Sequence, residues 1–174
     1  MNPDHWEMEF YEDPSGKEPC RDFIDGLDVA KAAAMRSALV HILARQGPDV
    51  CETEFGKNLG KGLYEFRLRH DEAEILNRVR PDLAAKLKKA GAPKILLRVF
   101  FHAHGDKLIL LLGGYDKGED PSSRRQQGEI DQARKALAAW KEAQRRAQKA
   151  GKRRSGVAPG HSFVTYWKKF RRRS

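Results

Sequence analysis

Gly62-Leu63-Tyr64-Glu65-Phe66-Arg67-Leu68-Arg69 alternates in steps of two, with Tyr64, Phe66 and Leu68 on one side and Glu65, Arg67 and Arg69 on the other. That is the pattern of a strand with one face in a core and a polar face opposite. Two further strands read downstream, Ile95 to Ala103 and Leu108 to Tyr115, joined by a tight turn at His104-Gly105-Asp106. Leu108-Ile109-Leu110-Leu111-Leu112 is apolar on both sides, as a central strand needs. Three strands in a row predict an antiparallel meander, and the rest of the chain must cover it.

Upstream, Trp6-Glu7-Met8-Glu9-Phe10 alternates like another strand, and Asp13-Pro14-Ser15-Gly16 ends it with turn chemistry. From Pro19 to Gln46 the period changes. Phe23, Ile24, Leu27, Met35, Leu39, Ile42 and Leu43 recur at spacings near three and four, predicting a helical pair broken around Gly26-Leu27-Asp28 and stopped by Gly47-Pro48. Within the meander, 71–93 is an insertion whose piece 82–91 reads as a short helix. Pro121-Ser122 opens a long helix to about Lys149, with Ile130, Ala133, Leu137 and Trp140 as its apolar stripe. The expected fold is α+β: a small, antiparallel-dominated sheet with helices packed on one face, then a C-terminal helix and a basic tail. Residues 1–150 make one domain, and 151–174 are a separate basic, aromatic segment that begins as a linker.

The chain has 174 residues and a formal charge of +10, but the charge is unevenly placed. Residues 141–174 hold twelve Lys and Arg against one acid, Glu142. Residues 1–56 sum to −7 and residues 57–117 to +6. A nucleic-acid partner therefore has to be argued from the middle stretch and the tail, not from the overall charge. No apolar run approaches the roughly 20 residues of a membrane span. The first residues have neither a basic start nor an apolar stretch, so no signal peptide is expected. Cys20 and Cys51 then read as reduced, packed thiols, and the expected location is cytoplasmic.

The element order, with four words at fixed places, resembles the RelE/ParE toxin superfamily, above all its HigB-like, phage-derived branch. The words are Gly62-Leu63-Tyr64-Glu65-Phe66-Arg67, Leu97-Arg98-Val99-Phe100-Phe101, Leu111-Leu112-Gly113-Gly114-Tyr115-Asp116-Lys117 and Glu129-Ile130-Asp131-Gln132-Ala133-Arg134. The resemblance spans roughly residues 6–145. The long insertion departs from the commoner pattern, as does the basic pair after the last strand, reduced here to Lys117 followed by Gly118. The resemblance implies a metal-independent endoribonuclease that cleaves mRNA in the ribosomal decoding site, inhibits translation, and is silenced by a helix-turn-helix antitoxin. Its partners would be that antitoxin, the ribosome and mRNA, with no membrane and no cofactor. The ParE branch implies an alternative, a non-enzymatic toxin that binds DNA gyrase. A catalytically dead regulatory relative is a third.

In the implied reaction the substrate's own 2′-hydroxyl attacks the adjacent phosphate. The chemistry needs cations on the developing phosphorane, and a base and an acid at its two ends. Arg67 and Arg98, on neighbouring strands, fit the clamp. Tyr115 and Lys117, at the end of the last strand, fit the proton transfers. Lys61, Arg69 and His102 are candidate RNA contacts. Each has a plainer role available. Arg67 fits a solvated pair with Glu65, Tyr115 and Lys117 could simply finish a strand, and His102 and His104 fit surface positions at a turn. Arg98 interrupts an apolar strand, where an unpaired charge is costly. His70, His102 and His104 have no carboxylate or thiol cluster at ligand spacing, so no metal is expected. In the tail, Phe163, Tyr166, Trp167 and Phe170 would share one face of a helix, fitting RNA, anionic lipid or a merely solvated segment.

Overall fold

The computed structural model describes residues 5–69, 95–105 and 107–151. The insertion helix, Asp106 of the predicted turn and the C-terminal tail lie outside the described residues.

Strand β1 (Glu7–Phe10) leads through the Asp13 turn into helices α1 (Pro19–Gly26) and α2 (Val29–Ala38). The break between them is capped locally: the Asp28 side chain accepts from the Lys31 backbone N–H at 2.9 Å. A π-helical stretch (Leu39–Leu43), a short α3 (Ala44–Gln46) and a 3-10 turn (Gly47–Glu52) follow. Strands β2 (Gly56–Gly60), β3 (Leu63–Leu68), β4 (Leu97–His104) and β5 (Leu108–Asp116) precede the long helix α4 (Ser123–Gly151). No helix among the described residues is long and apolar enough to cross a membrane.

The protein is α+β, with one five-stranded mixed sheet in the order β1-β5-β4-β3-β2. Strands β2 to β5 are antiparallel neighbours, and β1 joins β5 in parallel. The meander is as expected from the period, but β2 is an addition to it. Gly56, Asn58 and Gly60 are poor strand formers, so the segment shows no strand signal. It forms because the two-residue turn Lys61-Gly62, with φ of 58° and 78°, folds it back on β3 as a hairpin edge.

The expectation of helices on one face has to be corrected. Helices α1 and α2 and the π-helical stretch pack on one side, where Ile24, Met35, Leu39 and Leu43 meet Phe66, Leu68, Val99, Phe101 and Leu111. On the opposite side α4 lays Ala133 and Leu137 against Leu63, Phe100, Leu110 and Leu112. Strand residues of alternating parity thus feed two cores, and β4 is apolar both ways because both of its faces are covered. Cys20 and Cys51 are free, and burial raises the Cys20 thiol out of reach of ordinary titration.

The end of β5 is pinned to the helical layer. Lys31 of α2 reaches the Asp116 carboxylate at 2.6 Å, and Asp116 also accepts from the Gly118 N–H. Close packing at this end explains one of the paired glycines. A Cβ on Gly114 would fall on the Phe23 ring and within 2.7 Å of the Arg98 carbonyl oxygen, whereas one on Gly113 would meet nothing within 4 Å. Gly114→Ala should therefore destabilise by about 2–3 kcal/mol through overpacking, while Gly113→Ala stays within about 0.5 kcal/mol. Urea unfolding of the two variants checks the pair, and equal effects would contradict the packing.

Candidate functional site: a guanidinium row across three strands

The strand register lines up three of the candidate residues. Arg67 on β3 is opposite Arg98 on β4, and Arg98 is opposite Tyr115 on β5. Side chains directly opposite one another on a sheet stand about 5 Å apart at Cβ. All three share the α4 side of the sheet, where Tyr115 belongs to the core that α4 closes with Ala133 and Leu137. Two like charges directly opposite are repulsive. Glu65, two residues before Arg67 and on the same face, relieves that repulsion.

Glu65 is fully buried at 0% exposure. Its Oε2 accepts from Arg67 Nε at 2.7 Å. Its Oε1 lies 3.8 Å from Arg98 Nε, beyond hydrogen-bond range, and has no hydrogen-bond partner among the described residues. Arg98 is 3% exposed and donates from Nη1 to its neighbour's Leu97 carbonyl at 2.9 Å. The Tyr115 hydroxyl is buried as well, and it too has no hydrogen-bond partner among the described residues. The Tyr115 ring stacks on Phe100, with centroids 6.0 Å apart.

The electrostatics are lopsided. Among the described residues, Arg98 feels one carboxylate, Glu65, against two other guanidiniums, Arg69 and Arg67. Burial holds it below the usual arginine value, with Glu65 opposing that shift, yet a guanidinium stays protonated at neutral pH. Burial, then Glu65, pushes the Tyr115 hydroxyl above its ordinary value, so at neutral pH it carries its proton. A buried cluster with surplus positive charge and two unpaired polar atoms is costly as it stands. An anion with several acceptor oxygens would relieve it.

The polar face of β3 is therefore largely covered, not open to solvent as expected, and Arg67 is half-buried against a fully buried Glu65. Arg69 lies just past β3, exposed. Lys117 follows β5 and donates to Gln126 of α4 at 3.1 Å.

Lys61 and His102 are elsewhere. Lys61 is in the β2–β3 turn, six positions before Arg67 and so roughly 20 Å along the strand direction. His102 is buried there too: its Nδ1 donates to the Gly62 carbonyl at 2.6 Å, and its ring meets the edge of Trp140. Burial, above all, lowers its pKa. A ring held in this way locks the hairpin to β4, unlike the turn-surface position expected for it. Cations around it serve the turn as well, since Arg134 donates to the Leu59 carbonyl at 2.7 Å and Lys141 to that of Lys61 at 3.4 Å. Glu65, read from the sequence only as the partner of Arg67 in a solvated pair, belongs to the site itself. Among the described residues, no three His, Cys, Asp or Glu side chains gather as a metal ion requires.

No family model matches this chain, and no curated protein matches it.

Removing a buried hydroxyl that bonds to nothing should not weaken the fold. Tyr115→Phe should stabilise by roughly 1 kcal/mol. The raised folded-state value means the native state keeps its proton where the unfolded chain has begun to lose it. Stability therefore declines as pH rises past about 10, the ordinary tyrosine value, and Tyr115→Phe should flatten part of that decline. Thermal unfolding between pH 8 and 11 measures both, and a destabilised variant would show that the hydroxyl has a partner.

Proposed function

We propose that this protein is a toxin of the RelE/HigB type, an endoribonuclease that cleaves mRNA on the ribosome and is neutralised by a helix-turn-helix antitoxin. The observation that carries the reading is the Arg67–Arg98–Tyr115 row, in which one carboxylate among the described residues faces a surplus of positive charge. The element order that underlies the resemblance, with a helical pair between the first strand and the meander, supports it.

In this reading a phosphate of the RNA sits against the row. The adjacent 2′-oxygen gives its proton to solvent water as it forms the new bond to phosphorus, the bond to the 5′-oxygen breaks as that oxygen takes up a proton, and a 2′,3′-cyclic phosphate and a 5′-hydroxyl result. Arg67 and Arg98 hold the dianionic phosphorane, where preorganised donors are worth most. Tyr115, protonated at neutral pH, suits donation to the departing 5′-oxygen better than abstraction from the 2′-hydroxyl. Lys117 is the second cation at that strand end. Arg67, with a side chain 17% exposed, is the outermost of the pair, so substrate reaches Arg98 and Tyr115 only after side chains move.

The burial of Arg98 and Tyr115 favours a second reading, a ParE-like binder of DNA gyrase in which the row merely braces the sheet. Arg98→Lys separates them, because it keeps a cation beside Glu65 while losing the planar fork. Under the nuclease reading, induction of the natural chain in bacteria cuts mRNA, and Arg98→Lys lowers cutting roughly 100-fold at equal expression with the fold intact. Mapping of mRNA 5′ ends, alongside plasmid supercoiling, reads the result. Intact mRNA with altered supercoiling would replace the nuclease with the gyrase binder.

A further inference from the structure

Glu65 does more than cancel charge, because it engages particular nitrogens. Arg67 is held through Nε at 2.7 Å, so both of its Nη groups make no hydrogen bond among the described residues. Arg98 spends Nη1 on the Leu97 carbonyl and points its Nε toward Glu65 Oε1, the buried oxygen that lacks a hydrogen bond. Shortening that 3.8 Å contact by about 1 Å would make a hydrogen bond and satisfy the oxygen. A phosphate drawing Arg98 into place would have that effect.

We propose that Glu65 is a positioning residue of the guanidinium row: it tethers Arg67 through Nε and takes Arg98 Nε when a phosphate binds, so that the remaining Nη groups of both meet one phosphate. The assignment rests on the nuclease reading for its consequence in RNA cleavage, but not for the tethering itself. A carboxylate that merely neutralised the pair would work equally well one methylene shorter. A tether would not.

Glu65→Asp in the full chain is therefore the discriminating variant. It keeps the charge and withdraws the oxygens by about 1.5 Å, the length of one carbon–carbon bond. Three measurements go together: thermal unfolding, exchange of the Arg67 and Arg98 Nε–H protons by ¹⁵N NMR, and single-turnover cleavage of mRNA on programmed ribosomes. The expected result is a folded variant whose Arg67 Nε–H exchanges faster than in the natural chain. Cleavage falls roughly 100-fold while half-saturation by ribosomes is unchanged. Natural cleavage, or Arg67 exchange as slow as in the natural chain, overturns the proposal. If the aspartate variant does not fold, Glu65→Gln, equal in length but uncharged, is read instead: it keeps an oxygen for the Arg67 Nε–H, so exchange as slow as in the natural chain supports the tether, and exchange as fast as that of an unpaired guanidinium overturns it. If the natural chain itself leaves ribosomal mRNA intact, the nuclease reading fails, and inorganic phosphate becomes the probe. Arg67 and Arg98 signals moving together on titration, and no longer together in Glu65→Asp, then support the positioning role. Independent movement in the natural chain overturns it.

Discussion

Strand β4 lies in the middle of the sheet, with a hydrogen-bonded neighbour on each side and a core against each face. A guanidinium there is almost wholly withdrawn from water, so the surroundings of Arg98 have to be built from the protein itself. What the fold supplies is one carboxylate from β3, a backbone carbonyl and an aromatic neighbour from β5. Much of the local architecture follows from this requirement. Glu65 must be on the same face as Arg98 and within one strand of it, and the period of β3 then places Arg67 beside them both. Burying two cations against one anion remains an unfavourable arrangement in a low-dielectric setting. Its retention in the middle of a sheet is what sets this cluster apart from an ordinary surface ion pair.

The same face is divided lengthwise. Over Leu63, Phe100 and Leu112 the helix α4 makes an apolar seal, with Trp140 and His102 closing the far end by ring contacts. Toward Arg67, Arg98 and Tyr115 the face becomes polar. An apolar wall beside a charged row strengthens every electrostatic interaction in it, because water is excluded from one side. Phe100, stacked on Tyr115, belongs to both parts. It connects the packing of α4 to the position of the hydroxyl, so the stability of the seal and the geometry of the row are coupled.

How far the fold was legible in the sequence depends on which physical signal each element carries. Strand β3 and the pairing side of its residues could be read from period alone, since Phe66 and Leu68 enter one core and Glu65 and Arg67 share the other face. The stripe Ile130, Ala133, Leu137 and Trp140 likewise names the buried side of α4. Period says nothing about which side of a sheet a distant helix will cover, and that is where the one-sided expectation failed. Strand β2 was illegible for a different reason. Its Gly-Lys-Asn-Leu-Gly has no strand preference of its own and is held by a turn and by cross-strand hydrogen bonds.

The candidate site was legible by residue type but not by place. Arg67 and Arg98 came out of the sequence as a clamp on neighbouring strands and Tyr115 as a separate suggestion at a strand end, and the register puts all three in one row. Lys61 and His102 had equal standing by charge and chemistry, yet strand length carries them to the opposite end, where a backbone carbonyl, not a phosphate, occupies the His102 Nδ1 proton. Glu65 shows the converse. A carboxylate two residues from an arginine looks like a routine solvated pair, worth little when exposed. Once both faces are covered, that same spacing puts a full charge at the centre of the row, where its hydrogen bonds determine which edge of each guanidinium remains for a ligand.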